Sequence, residues 1–164
     1  MIALLAGAGG FLVWFNHEAV LTVSGKEYPP RETEAWLRQQ LESHFHWAGL
    51  PGNGLEKVWI EGFQDHTSLY RIRLSPEQFA DLQRAVLASK AEGVKLDDGD
   101  DLKLCPRGFG TSSPQGPKGL KIPEWWDVTS LRSVEGLLWK STREGYWFGY
   151  DRESGVLYLL GYDT

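Results

Sequence analysis

Residues 2–15 run from Ile2 to Phe15 without a charge and end at Asn16-His17-Glu18. As a helix these 14 positions would extend about 21 Å. A hydrocarbon core of about 30 Å calls for nearer 20 residues. The run is short for a spanning helix and fits the apolar region of an export signal, although no basic flank precedes it. Trp14 and Phe15 suit a membrane–water interface. The reading taken is an anchor or uncleaved export signal over 1–16, with membrane contact through residues 2–15. A buried first strand or a core helix is the competing reading. A nucleotide-binding glycine turn at Gly7-Ala8-Gly9-Gly10 is rejected, because Leu12 stands where the dinucleotide fingerprint wants a small residue.

Beyond this run the periodicity alternates between two and about 3.6. A strand-like stretch over 18–24 is closed by Gly25 and by Tyr28-Pro29-Pro30. A helix of about 16 residues follows, with Pro30 in its first turn and Glu32 and Glu34 complementing the N-terminal dipole. Leu37, Leu41 and Phe45 form its buried stripe, widened by Trp36 and Ala48, and Pro51-Gly52-Asn53-Gly54 ends it. Strands are expected over 56–63 and 67–74. In the second, Tyr70, Ile72 and Leu74 alternate with Arg71 and Arg73. Ser75-Pro76-Glu77-Gln78 is a capping box opening a second helix to about residue 91, with Phe79, Leu82, Val86 and Leu87 inward. From 97 to 123 the chain is a long Gly/Pro-rich loop, beyond the usual connection of about 2–6 residues. Strands over 137–142, 146–151 and 156–162 then form a meander. The expected architecture is α+β: two helices packed on a mostly antiparallel sheet ending in a three-stranded meander. Residues 17–164 make one domain.

Composition narrows the chemistry. The chain has 164 residues with 17 Lys and Arg against 22 acids, a formal charge of −5. That balance argues against nucleic acid as a partner, since such affinity comes largely from a basic face. The one cysteine, Cys105, excludes an internal disulfide and a Cys-rich zinc site. His44 and His46 are two apart on a helix and cannot clamp one metal. Asp97, Asp98, Asp100 and Asp101 lack the alternation of a calcium loop and read as a solvated turn. No nucleophile elbow, His-Glu-x-x-His or phosphate loop is present, so catalysis, a metal and a cofactor are not expected.

The excess lies in aromatics, with 8 tryptophans. Alternation puts Tyr146, Phe148 and Tyr150 on one sheet face and Trp147 with Gly149 on the other, more aromatic surface than one core needs. Such side chains either fill the core and brace the loop or form a binding surface. The candidate contact residues are Trp125, Trp126, Trp147, Phe109 and Tyr150.

Three segments carry a resemblance. The run from Phe63 to Phe79, the Pro123-x-Trp125-Trp126-Asp127 segment and the final Tyr150-Asp151-x-x-x-Gly155-x-Leu157-Tyr158 hairpin resemble small uncharacterised bacterial proteins, often exported or membrane-anchored. The resemblance implies an exported domain and no activity. The expected function is a non-enzymatic, membrane-anchored extracytoplasmic domain binding a protein partner or cell-envelope component, with an immunity or inhibitor role as one version. One rival is a small envelope hydrolase or metal-dependent enzyme using Asp65, His66 or the acidic turn. The other is a structural subunit of a membrane complex, packed through Gly7, Gly9 and Gly10.

Overall fold

A computed structural model describes residues 25–61, 67–89, 93–97, 123–126, 128, 131 and 134–163. In chain order the elements are β1 (Lys26–Tyr28), α1 (Pro30–Phe45), β2 (Leu55–Glu61), β3 (Thr67–Arg73), α2 (Pro76–Ala88), β4 (Gly93–Asp97), β5 (Val134–Lys140), β6 (Glu144–Asp151) and β7 (Val156–Asp163). The strands form one sheet in the order β1-β2-β3-β7-β6-β5-β4. Every pairing is antiparallel. The two helices pack on one face, so the α+β architecture expected from periodicity is the one observed.

Local chemistry explains the boundaries. Thr33 Oγ1 donates to the Pro29 and Pro30 carbonyls in the first turn of α1. That helix ends because His46 takes a left-handed conformation at φ 54°, and its N–H returns to the Glu42 carbonyl. The turn aims Trp47 and Leu50 into the core and leaves Ala48 exposed, a correction to the expected stripe. In α2 the capping box forms as expected. Ser75 Oγ accepts from the Gln78 N–H, and Gln78 Oε1 accepts from the Ser75 N–H. Leu87, expected inward, is 48% exposed, because α2 buries only the Phe79-Leu82-Val86 stripe.

Two strands depart from the expected elements. Lys26–Tyr28 pairs with β2, so the first described strand follows Gly25. The earlier stretch over 18–24 lies outside the described residues, as does the apolar run over 2–15. Gly93–Asp97 pairs with β5 at the far edge, where the sequence reads as the end of a helix. A five-residue strand opening on glycine carries little periodic signal; its cross-strand partners create it.

The sheet buries both faces. Leu37, Leu41 and Phe45 of α1 and Phe79, Leu82 and Val86 of α2 cover Val58, Tyr70, Ile72, Leu137, Phe148 and Leu159. On the opposite face Trp59, Leu69, Trp147, Val156, Tyr158 and Leu160 form a second cluster with Trp126 and Val128. No helix among the described residues is long and apolar enough to cross a membrane.

The left-handed residue at the end of α1 supplies a test. A non-glycine side chain there costs about 1 kcal/mol, so His46→Gly should raise the stability to denaturant by about that amount. An unchanged or lowered midpoint would show that the His46 side chain supports the turn.

Candidate functional site

Of the expected contact residues that are described, Trp125, Trp126 and Trp147 fall on the helix-free face and Tyr150 does not. Trp126 follows a turn closed by its N–H to the Pro123 carbonyl at 2.9 Å. That turn lays the Trp126 ring edge-on to Tyr158, with centroids 5.6 Å apart. Trp125 meets Trp126 at 5.9 Å and sends its Nε1 proton to Glu27 Oε1 at 2.9 Å. The segment beginning at Pro123 is thus fastened to the β1 edge of the sheet while its second tryptophan enters the cluster.

Beneath it the rings lie flat on glycines. A methyl group at Gly149 would come within 1.8 Å of the Trp147 ring, and one at Gly145 within 2.1 Å of Tyr162. At the β1 end, Trp59 lies over Gly25 in the same manner, at 1.7 Å from such a methyl. Gly145 and Tyr162 are direct cross-strand partners. Glycine frees the pleat for an aromatic plate, which shields the backbone in return.

Trp126 is 5% exposed and Trp147 0%. Both are filled into the protein, and Trp125 stays half-buried at the rim. Tyr150 belongs to the other face. It stacks on Phe79 at 4.4 Å, donates to the Leu74 carbonyl at 3.2 Å, and is 1% exposed. Burial, then the nearby Glu77 carboxylate, raises its phenol above the usual range. The structure therefore gathers Trp125, Trp126 and Trp147 and separates Tyr150 from them. Phe109 lies outside the described residues, as does the loop over 98–122.

The polar groups nearest to catalytic composition are Ser43, His44 and Glu144. His44 Nε2 meets Glu144 Oε2 at 2.6 Å, and Ser43 Oγ stands 3.1 Å from His44 Nδ1. The same Nδ1 lies 2.9 Å from the Gln40 carbonyl oxygen. Ser43 Oγ itself donates to the Gln40 carbonyl at 3.1 Å, so its proton is directed at the backbone and not at His44. This histidine straps the end of α1 to Glu144 at the start of β6. Among the described residues no group of three or more His, Cys, Asp and Glu side chains is placed to hold a metal ion. Asp65, His66, Cys105 and Asp98, Asp100 and Asp101 lie outside the described residues, and Asp97 closes β4.

Three buried polar atoms on the helix-free face are not legible in the sequence as unpartnered groups. Glu61 is half-buried with one carboxylate oxygen lacking a hydrogen-bond partner, and burial raises its carboxyl above the usual range. Trp126 Nε1 and Arg71 Nε are buried donors without a bonded acceptor. Period-two alternation points Arg71 away from the helices; nothing in the sequence says what meets it there.

A scan against protein-family models and searches of the curated proteins and of the solved structures each return no match.

The burial difference predicts distinct mutational outcomes. Trp147→Ala should cost about 3–5 kcal/mol, as expected when a buried aromatic leaves a cavity. Trp125→Ala loses a half-exposed ring and one exposed hydrogen bond and should cost about 1 kcal/mol. Chemical denaturation of both variants checks the contrast. Gly149→Ala should cost about 1–3 kcal/mol by driving a methyl into the Trp147 ring.

Proposed function

We propose that the chain is a non-enzymatic binding domain, held at a bacterial membrane by residues 2–15 with its folded part outside the cytoplasm. It binds a protein partner or an envelope component, and inhibition of a secreted toxin is one concrete form. The observation that supports the reading is the Trp125–Trp126 pair, carried on an irregular segment rather than on a strand or helix. One ring anchors that segment in the helix-free cluster, and the other is left half-exposed at the rim beside Glu27. Half-exposed tryptophan held by a neighbouring anchor is the kind of rigid side chain that dominates protein contacts. Two polar side chains of the helix face serve internal ties. Tyr150 holds the Leu74 carbonyl and His44 holds Glu144.

Fractionation of the full-length tagged protein, with protease protection of the folded domain, tests the location. Sedimentation with membranes and shielding from cytoplasmic-side protease are expected. A wholly soluble cytoplasmic protein would overturn the anchor and return residues 2–15 to the core. For the contact, Trp125→Ala should keep a cooperative melt yet reduce recovery of the envelope partner in crosslinking by about tenfold, as for an interface anchor. Undiminished recovery would move the contact elsewhere.

A further inference from the structure

We propose that the corner of the helix-free face around Lys57, Arg71 and Arg73 docks an acidic segment of a partner protein. The inference rests on the binding-domain reading and names the chemistry of the partner. Cross-strand register sets Lys57 directly opposite Arg71, and Arg71 directly opposite Tyr158. Alternation along β3 brings Arg73 to the same face. Tyr158 carries the Trp126 ring, so the cations run straight into the aromatic cover.

Charge in this corner does not balance. Like charges directly opposite on antiparallel strands destabilise the pair, yet Lys57 and Arg71 are register partners. One carboxylate answers them. The irregular register between Leu55 and Lys57 brings Glu56 toward both arginines. Glu56 Oε1 accepts from Arg73 Nε at 2.7 Å, and its Oε2 lies 3.2 Å from Arg71 Nε. The second contact is misaligned, and Arg71 Nε keeps no bonded acceptor. Among the described residues three cations thus face one carboxylate, in a chain whose net charge is −5. Lys57 is exposed.

The corner is also arranged beforehand. Arg73 Nη1 donates to the Ser154 carbonyl at 2.8 Å while Nε holds Glu56. Its side chain is therefore ordered before any partner arrives, which lowers the entropy lost on binding. The cations spread over two neighbouring strands about 4.8 Å apart and along two residues of β3, about 7 Å. Several carboxylates on an extended chain match that spread. Arginine beside tyrosine and tryptophan is the composition enriched at protein interfaces, and a planar guanidinium takes a carboxylate through two parallel bonds.

The test titrates the full chain with hexaglutamate at low salt, reading intrinsic tryptophan fluorescence, with hexaglutamine and inorganic phosphate as comparison probes. A saturable response to hexaglutamate alone is expected, weakening as salt rises. In Lys57→Glu the affinity should fall by at least about fivefold. The same variant should melt at the same or a higher temperature, because it turns a like-charge pair into an opposite-charge one. Arg71→Gln, checked for folding by its melt, should show the same loss. No saturable response to hexaglutamate, an unchanged affinity in Lys57→Glu, or phosphate displacing the peptide would each overturn the proposal. The partner crosslinking described above, repeated with Lys57→Glu, separates the two readings. Undiminished recovery overturns the acidic docking corner and leaves the binding domain standing. Failure of the wild type to recover any envelope partner counts against the binding domain, while the peptide titration still decides the corner.

Discussion

The central strands β7 and β6, with the Leu69 end of β3, are covered on both faces, and the rest of the molecule follows from that requirement. A sheet with helices on one side commonly leaves its other side to water, with polar residues alternating outward. Here the outward positions of β6 and β7 are Trp147, Val156, Tyr158, Leu160 and Tyr162, which water cannot serve. Glycines make this arrangement possible. Gly149 and Gly145 remove the side chains that would collide with Trp147 and Tyr162, so large rings lie flat on the pleat. The remaining apolar surface then needs a lid, and the chain supplies Trp126, Val128 and Leu131 from the segment before β5.

The helix side solves a different problem. Its aromatic rings meet edge to face, with Phe45 against Trp139, Tyr146 and Phe148 at 5.4–5.5 Å. Such pairs add about 0.5–1.5 kcal/mol each beyond area burial. Polar ties then fix how the layers sit. Tyr150 reaches the Leu74 carbonyl, Leu74 N–H reaches the Gly155 carbonyl, and His44 reaches Glu144 across a separation of 100 residues. Asp151 organises the β6–β7 turn by accepting from the Glu153 N–H at 3.1 Å. Gly155 completes that turn at φ +67°, where a side chain would be strained. The ties of Tyr150, Leu74 and His44 join elements far apart in the chain, so they align the layers instead of merely closing turns.

The proposed function grows from the same economy of surface. Aromatic residues are abundant because two faces need covering, and most of them are consumed in doing so. What the helix-free face leaves toward solvent among the described residues is small and mixed: the half-buried Trp125 at one margin of the lid, and the cations of β2 and β3 at the other. Tyr158 links them, being at once the seat of Trp126 and the cross-strand partner of Arg71. A recognition surface on this domain is therefore read from the few side chains that internal packing does not use, and not from the tryptophan count.

The sequence by itself determined the local elements. Pro30 and the Leu37-Leu41-Phe45 stripe specify α1, Ser75 to Gln78 specify the start of α2, and period-two runs with turn residues between them specify the meander, because each signal acts within a few residues. It also determined that both sheet faces carry aromatics, since alternation in β6 separates Trp147 from Tyr146, Phe148 and Tyr150. Tertiary structure decided what those faces meet. Trp126 and Tyr150, alike in the sequence as candidates for contact, are buried on opposite sides of one sheet. β1 and β4 exist through their partners, being too short to carry a period of their own. Register alone set Lys57 against Arg71 and brought Glu56 between two arginines, because pairing across strands depends on how distant segments align, which no local window contains.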